Sequence, residues 1–356
     1  MNSDQDTDRR DGAIDALRAI AVMLVLVFHY TSRFPADYIR FPHQMTLPWQ
    51  GVVGVFLFFV ISGYCIAMTA ERAETIWMFW LRRFTRLEPA LIACIAITLV
   101  VVAALGLPDR EVSATDGLRN AVWVPLFVPT PFVDGAYWSL LQEAKFYFVS
   151  GLIFYLWPKG ALALFASFTA LGAVAHFSGL WAGHQALIYP FKGVDITYFF
   201  FPYSLFFLMG IAARRSNWIV QTAVTAGCLA VAVRLWGATP FTLWVIALSV
   251  LGVIGVQLRD IRIWRCVTYV GFISYPLYLL HQNVGVAIIR WLARWIDSPY
   301  LRIGMAFAVV MALAALVAWA VEHRFRRRIE GIAVRFVPRA VVRLQGQLEG
   351  RKPTRP

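Results

Sequence analysis

Ten long apolar windows recur along this chain, and they constrain its fold more than any other feature. They lie near residues 13–31, 50–70, 88–106, 138–157, 160–178, 198–213, 217–235, 240–258, 268–290 and 302–322. A helix of about 20 apolar residues matches the hydrocarbon thickness of a bilayer. The composition agrees: of 356 residues, 60% are hydrophobic and 15% charged, with a mean hydropathy of +0.64, which excludes an ordinary soluble domain. The expected fold is an all-α polytopic membrane protein with about ten transmembrane helices.

The first window follows DQDTDRRD, which mixes acids with bases, and ends in His-Tyr. It reads as a retained helix rather than a signal peptide. Placing the N-terminus inside puts twenty-two Lys and Arg on inner segments against nine on outer ones. That bias favours an N-in, C-in topology. The expected organisation is a cytoplasmic segment over 1–12, a transmembrane domain over 13–328 and a basic cytoplasmic tail over 329–356. The net charge of +13 then reflects topology and contact with anionic membrane lipids, and no nucleic-acid motif is present. Cys65, Cys94, Cys228 and Cys266 fall in or beside apolar windows without metal-type spacing, so neither a disulfide framework nor a metal site is expected.

Against this apolar background a few polar residues stand out. Arg18 and His29 are eleven residues apart in the first window. Eleven helical steps return to nearly the same direction after a rise of about 16 Å, so the two share a face. Ionisable groups inside a bilayer point to a functional site or to an internal pair, and Asp15 at i−3 is a ready partner for Arg18. The sequence F79WLRRFTRLEP89 reads as a short cytoplasmic helix ending before Pro89, with Arg83 and Arg86 as i, i+3 neighbours able to grip phosphate oxygens. An ordinary inside-positive loop explains the same residues.

In the fourth window Ser139, Glu143 and Tyr147 are spaced i, i+4, i+8 on one face, and Ser139 with Gln142 also fits a capping box. A carboxylate one turn into a membrane helix requires a partner or proton-transfer work. In the ninth window Ser274, Tyr278 and His281 share another face, where a structural histidine is an equal alternative. Ser62 and Gly63 in the second window allow close helix approach.

Taken in order, the Arg18-x10-His29 pair, S62GY, R83FTRLEP89, W138SLLQEAKFY147 and I273SYPLYLLHQ282 resemble the acyltransferase-3 family over roughly residues 13–328. One departure is E322HRF325, which lacks the proline often found there in the family. The resemblance implies a bacterial inner-membrane O-acyltransferase. It would move an acyl group, usually acetyl, from cytoplasmic acyl-CoA to a hydroxyl of a glycan or lipid-linked sugar. By the same resemblance His29 and Glu143 are the catalytic candidates, while Arg18, Arg83 and Arg86 bind the donor. Ser139, Tyr147, Tyr278 and His281 are expected to line the substrate site. Here Arg83 and Arg86 hold the phosphates at the inner surface, and Glu143 enters from the outside to orient His29 or the acceptor.

A transporter or flippase for an anionic or glycan-linked substrate would also place Arg, His and Glu in the membrane, but no internal repeat of the kind such proteins carry is evident. Trp49, Trp123, Trp181 and Tyr189 in the outer loops suit either sugar stacking or the interfacial aromatic belt.

Overall fold

The computed structural model describes residues 12–34, 51–72, 75–128, 130–180, 188–191, 194–197, 200–258 and 261–323. The N-terminal segment 1–11, the basic tail from 324, Trp49 and Trp181 lie outside the described residues, as does the side chain of Tyr189.

Every apolar window contains a helix. The first holds α1, Gly12–Phe28, which continues as a π turn over His29–Arg33. Then come α2, Val53–Arg72, and α3, Ile76–Leu105. A short α4, Ala114–Ala121, precedes α5, Trp138–Leu156, and α6, Ala161–Phe177. After a two-stranded antiparallel hairpin, β1 Ile188–Phe191 with β2 Val194–Thr197, follow α7, Ser204–Arg215, α8, Trp218–Trp236, and α9, Pro240–Gly255. The chain continues through α10, Arg265–Leu280, α11, Asn283–Leu292, and α12, Pro299–Val317, which runs into a π turn, Ala318–His323.

Among the described residues six helices are long and apolar enough to cross a membrane, or seven when α10 and α11, bent by 74°, count as one broken span. The remaining windows fall on α5, which carries Glu143 and Lys145, and on α7 and α9, which are 12 and 16 residues long. Length and apolarity therefore establish a multi-helical membrane bundle with fewer certain crossings than ten.

The helix ends follow local chemistry. The side chains of Thr75, Asn217, Thr239 and Ser298 each accept a backbone N–H in the first turn, and Pro240 and Pro299 sit where a missing N–H costs nothing. Gly106 and Gly237 end α3 and α8 with φ of 75° and 70°.

Two expectations are corrected. The segment carrying Arg83 and Arg86 does not end before Pro89; it is the first half of the 30-residue α3, with Pro89 inside. A proline inside a helix removes one backbone bond, and membrane bundles tolerate it where neighbours resatisfy the freed groups. Here Ala90, Leu91, Cys94 and Ile95 continue the buried face beyond the proline, and the Tyr275 hydroxyl reaches across from α10 to the Leu87 carbonyl at 3.3 Å. The ninth window is likewise not one helix, because it breaks after Leu280. The new N-terminus is capped from another element: Asp134 Oδ2 accepts the Asn283 N–H at 2.8 Å.

The second helix is the hub, packed against α1, α5, α7 and α9. Its crossing with α7 has backbone in contact. A Cβ on Gly63 would stand 2.2 Å from the Phe207 carbonyl oxygen, and one on Gly210 would stand 2.0 Å from that of Val60. Phe207 then stacks on Phe146 of α5 with centroids 4.0 Å apart. Gly271 performs the same service between α10 and α1, directly against the Asp15 backbone. These approaches place α1, α2, α3, α5 and α10 around a shared cavity.

Candidate active site

That cavity encloses about 330 Å³. One wall is a single face of α2: Val55, Phe58, Phe59, Ser62, Cys65, Ile66 and Thr69 all line it. At 1.5 Å per residue the stretch from Val55 to Thr69 measures about 21 Å, so the cavity is long and narrow.

Its polar groups are arranged along that axis. At the Thr69 end lie Arg83, Arg86 and Arg18. Arg83 Nη2 donates to Thr69 Oγ1 at 2.8 Å, whereas its buried Nε has no hydrogen-bond partner among the described residues. A buried donor left unmade costs about 1–3 kcal/mol, more when charged. Arg18 is partly neutralised by Asp15 at 3.4 Å, the i−3 partner foreseen in the sequence, and its Nη2 approaches Cys65 Sγ at 3.6 Å.

About two helical turns further along α2, Ser62 Oγ donates to Glu143 Oε1 at 2.9 Å, and the Tyr147 hydroxyl donates to the same oxygen. The i, i+4 spacing of Glu143 and Tyr147 thus produces a direct contact. At the far end Ser139 Oγ and Tyr278 Oη lie 2.8 Å apart, and both reach the Ala136 carbonyl. Ser139 is therefore not the cap of α5 that a capping box would make it.

The two histidines lie outside this cavity's lining, just beyond the Ser139–Tyr278 pair. His281, fully buried, approaches the Tyr278 carbonyl through Nδ1 at 2.6 Å and His29 Nδ1 through Nε2 at 3.1 Å. His29 Nδ1 also lies 2.9 Å from the Val25 carbonyl, and its ring stacks on Phe34 at 5.5 Å. The Tyr30 hydroxyl donates to the His281 carbonyl at 2.6 Å, which ties the π turn of α1 to the break between α10 and α11.

Two placements differ from the sequence expectation. Glu143 does not contact His29, one of the two groups it was expected to orient; among the described residues it accepts from Ser62 and Tyr147, and it shares one cavity with Arg83 and Arg86 instead of standing apart from them. The cause is α3, whose unbroken course carries the arginines up against α5. His281 is not a lining residue but a direct partner of His29.

Residues 11–322 match the family model described as an acyltransferase domain. The chain belongs to the acyltransferase-3 family. It is 26% identical over 229 residues to an O-acetyl transferase of Shigella phage Sf6, covering 60% of this chain and 65% of that protein. It is 27% identical over 195 residues to the peptidoglycan O-acetyltransferase of Listeria monocytogenes, covering 48% and 28%. It is also 27% identical over 348 residues to a putative membrane-bound transacylase of Komagataeibacter xylinus, covering 88% and 82%. Against the phage and Listeria proteins the chain spans less than two thirds of the relative's length. No solved structure matches.

Within this acyltransferase-3 chain, sequence reasoning passed over two buried carboxylates. Glu88 accepts the indole N–H of Trp123 at 2.6 Å, which draws that loop aromatic against α3. The signal is a carboxylate at the edge of an apolar window, at the end of a segment read as a short helix stopping before Pro89. Asp134, fully buried just before α5, accepts the N–H groups of Ala136 and Asn283, each at 2.8 Å. Burial pushes its carboxyl up to about 6, while those two donors and the Arg110 charge pull it down. Nothing in the local sequence marks Asp134, because its second partner is 149 residues away.

Proposed function

We propose that the protein is a bacterial inner-membrane O-acyltransferase that moves an acyl group, acetyl in the simplest case, from cytoplasmic acetyl-CoA to a hydroxyl of a glycan or lipid-linked sugar. The observation that carries this reading is Arg83: a guanidinium with a buried, unpartnered Nε, in a cavity it shares with Arg86 and Arg18. Such a group calls for an anion, and planar guanidiniums grip phosphate oxygens two at a time. The relatives named as O-acetyltransferases support the chemistry.

In this proposal the ten helical windows all cross the membrane, with both termini inside, so the arginine end of the cavity faces the cytoplasm. Arg83, Arg86 and Arg18 hold the donor phosphates, and the pantetheine arm extends along the α2 face past Glu143. The acceptor enters from the outer side. His29 takes the proton of its hydroxyl, the oxygen attacks the thioester carbonyl, and the carbon–sulfur bond breaks. The departing thiolate recovers the proton from the imidazolium. Glu143, fixed by Ser62 and Tyr147, orients the acceptor. Because Ser139 and Tyr278 stand between cavity and histidines, their hydrogen bond has to open for the thioester and the acceptor to meet at His29.

Purified protein should release free CoA from acetyl-CoA in the presence of an acceptor sugar. The His29→Ala variant should abolish that release with little change in thermal stability, and Glu143→Gln should lower it by about 10² or more, the cost of misplacing a reacting group. Glu143→Gln should leave donor affinity no weaker, since it removes a carboxylate from the cavity that holds the arginines. Undiminished release in either variant would overturn that residue's role, and absence of acceptor-dependent release from the parent protein would overturn the reading.

A further inference from the structure

The geometry points to His281 as a positioning residue that fixes the tautomer of His29, so that the Nε2 atom of His29 is the one that takes the acceptor proton. This inference rests on His29 acting as the base, as proposed above, and it assigns His281 a role other than lining the substrate site.

The argument follows donors and acceptors along one chain of atoms. A backbone carbonyl can only accept, so His281 Nδ1, 2.6 Å from the Tyr278 carbonyl, carries a hydrogen. In a neutral imidazole the other nitrogen then holds the lone pair, which makes His281 Nε2 an acceptor. That nitrogen lies 3.1 Å from His29 Nδ1. The second neighbour of His29 Nδ1 is the Val25 carbonyl at 2.9 Å, again an acceptor. Both neighbours demand a hydrogen at His29 Nδ1, so the tautomer assigned from the network leaves the lone pair of His29 on Nε2.

Burial distinguishes the two rings. His281 has no exposed surface and is enclosed by Tyr278, His29 and the Tyr30 hydroxyl on its carbonyl, whereas His29 is half-buried. Of the two, only His29 is open to an incoming hydroxyl. When His29 Nε2 gains a proton the Nδ1–H remains where it is, and the ring keeps its orientation. A carboxylate in the place of His281 would do the same work, but Glu143 is already held by Ser62 and Tyr147.

The backbone supports the same assignment. The π turn over His29–Arg33 interrupts α1 at His29 itself, and the break after Leu280 interrupts the partner helix at His281. Single π turns inside α-helices occur frequently at functional sites. Tyr30 clamps the two irregular segments together, and its ring closes against Gly285, where any Cβ would stand 1.9 Å from the hydroxyl oxygen.

The test replaces His281 in the full-length protein in detergent by Gln, whose amide oxygen can accept the Nδ1–H, and by Leu, which cannot. Turnover should fall by about 10² or more in His281→Leu and by less than about tenfold in His281→Gln, with the KM for acetyl-CoA unchanged in both. A merely structural histidine would move thermal stability and KM together and would not favour Gln over Leu. Carbon and nitrogen shifts of labelled histidine, with the His29 signal assigned by its loss in His29→Ala, should report Nδ1–H in the parent protein and loss of that fixed tautomer in His281→Leu. An Nε2–H tautomer in the parent, or full turnover in His281→Leu, would overturn the inference. If His29→Ala is inactive while His281→Leu is not, this inference alone fails; if both retain turnover, the base assignment fails with it.

Discussion

At the residue scale, the decisive property is unmet hydrogen-bonding capacity in a buried place. Arg83 illustrates it, because its Nη2 is satisfied by Thr69 while Nε has no partner among the described residues. Removing the guanidinium should therefore leave the ligand-free protein about as stable as before, or more so, while acetyl-CoA binding weakens by about 1.5–3 kcal/mol, the scale of a charge-assisted hydrogen bond. Calorimetric titration of Arg83→Ala and Arg83→Lys measures this directly. Lysine should restore only part of the affinity, since it returns the charge without the planar fork. Parent affinity in Arg83→Ala would reduce the arginine to a marker of topology. The pairing of Arg83 with Arg86 was legible from i, i+3 spacing alone, but the orphaned Nε was not: it depends on α2 bringing Thr69 to Nη2 and leaving Nε unmatched.

At the element scale, two crossings position the site, and both depend on glycine for space and not for backbone freedom. The Ser62-Gly63 pair was readable as a close-packing signal, and Gly63 does lie against Phe207 and Gly210 of α7. A Cβ there meets a backbone oxygen, which cannot swing aside as a side chain can. Gly63→Ala should therefore lower the thermal stability in detergent by about 1–3 kcal/mol, the cost of overpacking. Gly227 supplies the control: it lies within α8 with nothing within 4 Å of an added Cβ. Gly227→Ala should be neutral or stabilising by up to about 0.5–1 kcal/mol, the intrinsic helix preference. Equal melting behaviour of the two variants would show that the α2–α7 crossing does not set the stability. Proline gave the opposite lesson. Pro89 reads locally as a helix end, yet α3 runs through it because tertiary burial on both sides outweighs one lost backbone bond.

At the scale of the whole molecule, the proposal requires the arginine end of the cavity inside and the segment between α3 and α5 outside. Glu111 is exposed in that segment, and the native Cys266 is exposed at the start of α10. In spheroplasts a membrane-impermeant maleimide should label Glu111→Cys in a Cys266→Ser background, and should label the native Cys266 only after the membrane is opened. Labelling of Cys266 from outside would reverse the topology and with it the sidedness of donor and acceptor. The faces that meet lipid in this arrangement carry Val100, Leu171 and Trp218 among the most exposed apolar residues, as a bundle surrounded by hydrocarbon requires.

Sequence by itself determined the membrane class, the ten helical windows and the family, because apolar runs and i, i+4 spacings are local properties that survive without knowledge of the fold. It also supplied the Arg18–Asp15 pair and the Glu143–Tyr147 contact, both made within one helix. Tertiary structure alone decided which of these groups share a space. It placed Glu143 with the arginines rather than with His29, joined His29 to His281 across 252 positions, and capped a broken helix with Asp134 from 149 positions away. Those outcomes turn on the angles at which helices cross, and the crossings are set by glycine contacts between backbones far apart in the chain, which no periodicity along a single helix encodes.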